Sequence, residues 1–172
     1  MKNAIKLLFL SVLLVGTSAS AEQNSPNIES YMYSGFKTIK TFSSIDVYLQ
    51  GSAEEIGLSK EELTSYLRLR FKNNFASTGF KKGDFVKIIT EESETKKAER
   101  GDISIKVWTV GDDYPIAFHI EIGAGNYSNL GQYKTAILGY SSKQKIAESV
   151  KQSISDLVDD LAVAFFKARG EL

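Results

Sequence analysis

The side chains that could carry acid–base or nucleophilic chemistry are few in this sequence and widely spaced. His119 is the single histidine, so a catalytic or metal site built from several imidazoles is excluded. The absence of cysteine excludes thiolate catalysis, iron–sulfur clusters and disulfide bonds. Adjacent carboxylates occur at 54–55, 112–113 and 159–160. Adjacent side chains point in different directions on a strand or helix, so none of these is by itself an acid–base pair. We therefore expect no catalytic residue, no metal site and no cofactor.

The glycine-rich segment 123–131 (GAGNYSNLG) raises the question of a phosphate-binding loop. A Walker loop ends in Gly-Lys-Ser/Thr, whereas Gly131 is followed by Gln132 and Tyr133. A dinucleotide-binding fingerprint needs a helix directly after its glycines, and the pattern here indicates a strand. We interpret 123–131 as a flexible or bulged connection.

Aromatic and polar side chains alternate with aliphatic ones in several predicted strands. Tyr48, Trp108 and His119 each lie next to an apolar residue that we expect in the core, so all three should point to the opposite face of a sheet. Tyr133 is a further candidate for that face. A surface that combines aromatic and polar groups is typical of a binding site. The alternative is an ordinary exposed sheet face made of residues that favour strands.

The N-terminus has the order of features of a secretory signal peptide. A cationic start and an apolar run at 7–16 are followed by the small residues Ala19-Ser20-Ala21. The apolar run is far shorter than the about 20 residues of a membrane-spanning helix. We expect cleavage between Ala21 and Glu22, a periplasmic or secreted protein, and no transmembrane segment in the mature chain. The polar segment 22–34 is predicted to be a flexible leader.

The charge balance excludes two classes of partner. The chain from Glu22 onward holds 19 basic and 21 acidic residues, a net charge of −2. This balance provides neither the basic face that nucleic acid requires nor a polybasic membrane-binding patch.

Hydrophobic periodicity predicts a single α+β domain over 35–172. Ser59 and Glu62 have the spacing of a helix-capping box, as have Ser141 and Gln144. The predicted strands are 44–50, 85–90, 103–108, 116–122 and 132–140, the predicted helices are about 59–79 and 143–169, and the charged segment 91–102 is predicted to be an exposed hairpin loop. The simplest arrangement is a two-layer sandwich, an antiparallel sheet of four to five strands with both helices, including the long C-terminal one, on one face.

The run 55–63 (EIGLSKEEL), followed by 67–71 (LRLRF), resembles a pattern in small exported bacterial proteins of unassigned function. In those proteins an antiparallel hairpin and a long C-terminal helix also follow. The resemblance extends from about 45 to the C-terminus and implies an α+β fold and an exported protein. It implies no catalytic residues.

These observations favour an exported, non-enzymatic binding or envelope-assembly protein. It would act through the exposed sheet face carrying Tyr48, Trp108 and His119, with a protein or an envelope component as its partner. The alternative is a hydrolase of envelope or extracellular polymers that uses carboxylates brought together by folding. Two carboxyl groups about 5–9.5 Å apart in a deep cleft would favour the hydrolase.

Overall fold

A computed structural model describes residues 33–128 and 133–172. The predicted signal peptide, most of the predicted leader and residues 129–132 lie outside this described part. Within it, one sheet has the strand order β1-β2-β3-β4, with β1 at Thr41–Gly51, β2 at Arg100–Val110, β3 at Ile116–Asn126 and β4 at Tyr133–Ser141. The helices are α1 (Lys60–Asn74), α2 (Phe85–Glu91), α3 (Glu94–Ala98) and α4 (Ile146–Arg169), and a 3-10 helix at Ser34–Lys37 precedes β1.

Two of the helices cover one face of the sheet. α1 packs against β1 and α4, and α4 also packs against β3, β4 and the 3-10 helix. Alternation within the strands turns their aliphatic residues toward these helices, so Val47, Val107 and Phe118 are buried in one cluster with Leu67 and Leu161. The predicted two-layer α+β fold with a long C-terminal helix is confirmed.

The sheet is mixed, in contrast to the antiparallel sheet predicted from the sequence. β1 and β2 run parallel, with Val47 opposite Ile105, while the β2–β3 and β3–β4 pairs are antiparallel. Parallel neighbours need a long crossover, and here the crossover contains α1, α2 and α3. Periodicity identifies the strands and their buried faces but carries no information on their direction.

The segment 85–90, predicted to be a strand, instead belongs to helix α2. Oδ1 of Asp84 accepts hydrogen bonds from the backbone N–H groups of Val86 (3.0 Å) and Lys87 (3.3 Å), which caps the helix. A short apolar run fits a helix as well as a strand, so the cap decides between them. The predicted hairpin loop at 91–102 is also wrong, because this segment contains α3 and the start of β2.

The helix caps agree with the prediction at one helix and differ at the other. α1 begins after Ser59, whose hydroxyl accepts a hydrogen bond from the Glu62 N–H at 3.2 Å. Ser141 is the last residue of β4 instead, and its hydroxyl lies 2.9 Å from the hydroxyl of Ser149. Gly170 caps the C-terminal end of α4, and its φ of +74° is a conformation that glycine adopts without strain.

None of the helices in the described ranges is both long and apolar enough to span a membrane.

Part of the predicted glycine-rich connection is strand. Residues 123–126 continue β3 and pair with residues 101–104 of β2. Asn126 secures this end, because its amide donates to the carbonyl of Gly35 (3.2 Å) and to the hydroxyl of Thr38 (3.1 Å). The low strand preference of glycine is thus overridden by pairing with β2 and by these bonds.

One end of the core is aromatic. Ring contacts join Phe42, Phe71, Phe75 and Phe165, with centroid separations from 4.9 Å (Phe71–Phe75) to 5.7 Å (Phe42–Phe165). Tyr33, near the end of the predicted leader, packs against this core. Each aromatic pair adds about 0.5–1.5 kcal/mol beyond the burial of its area, which supports a domain that lacks disulfides.

Candidate functional site

The face of the sheet opposite α1 and α4, called the outer face below, carries the three predicted site residues. Trp108 of β2 and His119 of β3 are cross-strand partners, and Leu138 of β4 follows His119 in the same row. Trp108 is 51% exposed, Tyr48 is also exposed, and His119 is half-buried. The structure therefore brings Trp108 and His119 together and places Tyr48 in the adjacent row, beside Lys106.

A neighbouring row extends this surface toward the end of β2. Val110 pairs with Ala117, which in turn pairs with Tyr140. Leu138 and Tyr140 are 78% and 73% exposed. Directly opposite residues have Cβ atoms about 4.5–5.5 Å apart, and diagonal neighbours in adjacent rows lie about 7–8 Å apart, within reach of long side chains. The exposed side chains of the two rows therefore form one continuous surface. We call this surface the outer patch; its members are Trp108, Val110, His119, Leu138 and Tyr140.

Gly51 supports the indole ring of Trp108. A Cβ atom at position 51 would lie 2.8 Å from both Cδ1 and Nε1 of Trp108, and 2.1 Å from the carbonyl oxygen of Thr109. The φ of Gly51 is +66°, which also favours glycine. The indole therefore rests on bare backbone at the end of β1 while half of its surface stays in water.

A row of charged residues follows the outer patch along the sheet. The carboxylate of Glu121 forms ion pairs with the ammonium nitrogen of Lys134 (2.8 Å) and with that of Lys106 (3.5 Å). The hydrogen bond from Lys134, together with the charges of both lysines, lowers the pKa of Glu121 below its ordinary value. Glu121 is thus held in ion pairs and is not available as a general acid.

A cavity occupies the other end of the outer face, beside α2. Its volume is about 370 Å³, and it is lined by Ser44, Tyr48, Phe85, Ile89, Asp102, Ser104, Asn126 and Tyr127. The rings of Phe85 and Tyr127 lie 6.0 Å apart between centroids. Among these lining residues, Asp102 alone is charged at neutral pH.

The cavity places Asp102 and Tyr127 largely out of water. Burial raises the pKa of Asp102 to about 6. Burial also raises the pKa of Tyr127 to about 12, and the negative charges of Asp102 and Asp46 add to this shift. Within residues 33–128 and 133–172, no lysine or arginine forms an ion pair with Asp102. The Asp102 carboxylate is therefore desolvated without a compensating cation.

Tyr133, the further candidate for the exposed face, is buried on the helix side of the sheet. Its ring lies 5.4 Å from that of Tyr33 and 6.2 Å from that of Phe36. Burial, with smaller contributions from Asp160 and Tyr33, raises the pKa of Tyr133 to about 12. The candidate assignment was wrong because the pairing of β4 with β3, which places Tyr133 opposite the buried Ala124, fixes its face.

Other carboxylates are held in ion pairs away from the cavity. Asp159 of α4 accepts two hydrogen bonds from Arg70 of α1, at 2.8 and 2.9 Å. Glu92 accepts a hydrogen bond from Arg100 at 2.7 Å, which lowers the pKa of Glu92. No cluster of three or more histidine, aspartate or glutamate residues within the described ranges is placed to hold a metal ion.

Asp102 and Tyr127 are site residues that the sequence pattern does not single out. Asp102 lies in the segment predicted to be a charged loop, although the alternation of 103–108 extends backward to Gly101 and Asp102. Tyr127 lies in the predicted glycine-rich connection. The available signal for Asp102 was therefore strand alternation, while no local pattern places Tyr127 or Phe85 beside it.

Comparisons with known proteins give structural similarity alone. No protein-family model and no curated protein sequence matches the chain. The PelC dodecamer from Paraburkholderia phytofirmans is similar with a TM-score of 0.45 and 13% identity, over 74% of this chain and 89% of that one. The hypothetical protein CT253 from Chlamydia trachomatis is similar with a TM-score of 0.49 and 8% identity, over 74% of this chain and 98% of that one. Both are bacterial proteins, and a likeness of this degree does not transfer a function.

Proposed function

We propose that the protein is exported and binds a partner, either a protein or a component of the cell envelope, through the outer patch. The observation that carries the proposal is the cross-strand pair of Trp108 and His119, flanked by the exposed side chain of Leu138. Burying large apolar side chains releases hydrophobic free energy, and tryptophan is enriched among the residues that dominate binding. The indole N–H and the imidazole add hydrogen-bonding groups that can orient a partner.

The patch lies apart from the packing that holds the fold together. The buried core is on the other side of the sheet, and Leu138 and Tyr140 expose most of their surface. A contiguous exposed apolar surface with a polar border is typical of an interaction site. Here the border is formed by Lys106, Glu121 and Lys134, which are joined by ion pairs. Export is supported by the N-terminal sequence pattern, which lies outside the described residues.

The substitution Trp108→Ala tests this function, with Leu69→Ala as a matched control. Leu69 is 56% exposed on α1, on the other side of the molecule from the patch. The tagged mature chain and both variants are incubated with envelope extract, and the captured components are quantified by mass spectrometry. We expect a component that the parent and Leu69→Ala retain and that Trp108→Ala loses. Capture of the same components in the same amounts by all three proteins would contradict the proposal.

A folding control accompanies this experiment. Because Trp108 is 51% exposed and packs on the backbone at Gly51 and on its cross-strand partner, its removal should lower the free energy of unfolding by no more than about 1–2 kcal/mol and leave the protein folded. If Trp108→Ala unfolds instead, Trp108 belongs to a core, and the outer patch loses its main residue.

A carboxylate-dependent hydrolase is the second candidate, and Asp102 is the observation that favours it. A carboxyl with a pKa of about 6 suits a general acid. The cavity lining contains no second carboxylate, which the paired mechanism requires. Release of soluble fragments from peptidoglycan or extracellular polysaccharide by the parent, lost in Asp102→Asn, would favour the hydrolase over the binding protein.

A further inference from the structure

The cavity beside α2 is distinct from the outer patch, although both lie on the outer face. Along β2 the patch residues are Trp108 and Val110, whereas the cavity residues are Asp102 and Ser104, at the other end of the same strand. The charged side chain of Lys106 stands between them. The cavity is therefore a separate site that needs its own explanation.

Glycines on β3 create the space above the sheet. Asp102 pairs with Gly125 and Ser104 pairs with Gly123, so neither β2 residue has a cross-strand side chain beside it on β3. Phe85 of α2 contacts Tyr127 and adds a wall above the strands. The result is a concave surface with an acidic residue among aromatic ones.

The nearby cationic side chain of Arg100 is paired with another carboxylate, so the charge of Asp102 has no cationic partner in the described residues. Arg100, two residues away on the same strand, donates to Glu92 (2.7 Å) and to the hydroxyl of Ser43 (3.2 Å). Asp46 on the neighbouring strand β1 adds negative charge, and its own ion pair with Arg68 is long, at 3.8 Å.

The ring of Tyr48, which also lines the cavity, already has the ammonium nitrogen of Lys60 5.6 Å from its centroid. The site thus combines a negative charge with the rings of Phe85 and Tyr127, whose faces can contact a cation.

We propose that this cavity binds the ammonium group of a small organic cation. The ammonium group would lie against the carboxylate of Asp102. The hydroxyls of Ser104 and Tyr127 line the same cavity and would accept its further N–H bonds, that of Tyr127 beside its hydrogen bond with Ser44. The ring face of Phe85 would lie against the ammonium group, and the carbon chain would contact Ile89 of α2. A charge-assisted hydrogen bond to a desolvated carboxylate is stronger than one between neutral groups.

Two further observations support this assignment. Burial raises the pKa of both Asp102 and Tyr127, so negative charge is disfavoured in the cavity, and a bound cation would offset this cost at Asp102. The cavity volume of about 370 Å³ falls in the range of small-molecule sites. The inference does not depend on the outer patch, so it stands even if Trp108→Ala leaves partner binding unchanged.

The experiment uses n-butylammonium chloride as the probe, with n-butanol and sodium butyrate as neutral and anionic counterparts of the same chain length. Binding is followed at neutral pH by chemical-shift changes in the backbone amide spectrum of the mature chain. We expect saturable shifts at residues lining the cavity with n-butylammonium, and none with the other two compounds. Equal shifts with n-butanol would overturn the proposal, because the site would then recognise the carbon chain alone.

Substitutions locate the bound cation. Asp102→Asn keeps the shape of the side chain and removes its charge, and it should weaken n-butylammonium binding by about tenfold or more. Asp113→Asn, in the exposed β2–β3 turn, is the control and should bind like the parent. Unchanged affinity in Asp102→Asn, or no saturable binding by the parent, would overturn the proposal.

A second pair of variants tests the aromatic wall without touching the strand. Phe85 and Val86 are adjacent on α2 and 63% and 65% exposed, but only Phe85 lines the cavity. Phe85→Ala should weaken n-butylammonium binding about threefold or more through loss of the cation–π contact, and Val86→Ala should not. Equal effects of the two substitutions would contradict an aromatic contribution.

Discussion

Gly139 of β4 lies opposite Phe118 of β3, and the Phe118 ring fills the space that a side chain at position 139 would need. A Cβ atom at this position would be 2.4 Å from Cζ of Phe118. The glycine thus lets a buried phenylalanine extend beneath the edge strand. This relationship ties the packing of the core to one residue of β4.

Gly139→Ala should destabilise the protein by roughly 1–3 kcal/mol, because Phe118 must leave its position to accommodate the methyl group. Urea denaturation followed by circular dichroism measures the change. Gly123→Ala is the control, since its Cβ would approach only the Ser104 hydroxyl, at 3.3 Å. Equal midpoints for Gly139→Ala and the parent would show that the Phe118 ring moves freely.

Leu161→Ala should lower the free energy of unfolding by roughly 2–5 kcal/mol. Leu161 lies on the side of α4 that packs against the sheet and is fully buried, so its truncation leaves a cavity. Val163→Ala, on the exposed side of the same helix, should stay within about 0.5 kcal/mol of the parent. Thermal or denaturant unfolding gives both values, and a loss below about 1 kcal/mol for Leu161→Ala would contradict the two-layer packing.

Asp102→Asn should stabilise the protein at neutral pH and not at acidic pH. The pKa of Asp102 is about 6 in the folded chain against an ordinary 3.8, so the folded chain holds this proton more tightly. Its contribution to stability is therefore greatest below pH 3.8 and falls, by up to about 3 kcal/mol, as the pH rises to about 6. Unfolding of both proteins at several pH values gives the difference.

The surrounding groups serve as an internal control for this pH experiment. Tyr127, whose pKa is raised to about 12, and Arg100, whose pKa is also raised, keep their protons in both proteins over this pH range, so they do not contribute to the difference. The advantage of Asp102→Asn should grow between about pH 4 and pH 7. A difference that does not change with pH would mean that the Asp102 carboxyl is not desolvated.

The exported protein should begin at Glu22. Small residues at Ala19 and Ala21 after a short apolar run are the features that signal peptidase recognises. Intact-mass spectrometry of the protein recovered from the periplasm or medium gives the N-terminus directly. A membrane-bound species that retains Met1 would remove the basis for export.

The sequence predicts most of the helix-covered core and the outward direction of the three predicted site residues. Alternation in 44–50, 103–108 and 116–122 places Tyr48, Trp108 and His119 on one face, because each strand residue must point away from its neighbour. The spacing Ser59 to Glu62 likewise predicts the start of α1. These features depend only on residues close together in the chain.

Features that depend on distant residues escaped the sequence analysis. The parallel pairing of β1 with β2 depends on how a long crossover folds. The helical state of 85–90 is an exception, because its cap at Asp84 is a local signal next to an apolar run that fits a strand equally well. The cavity joins Ser44, Phe85 and Tyr127, which only the topology brings together. Tyr133 was misplaced for the same reason, since its face follows from pairing with Ala124.

The strand order leaves the two edges of the sheet unequally protected. The outer edge of β1 is partly covered. The backbone of 79–83, which follows α1, forms hydrogen bonds with the backbone of Phe42 and Ser43, and Arg68 donates a hydrogen bond to the carbonyl of Ile45 (3.3 Å). In the described part of the chain, no strand pairs with the far side of β4. Unpaired edge strands are templates for the addition of further strands. Unwanted self-association of this protein should therefore be one-sided, starting along β4 and not along the first half of β1.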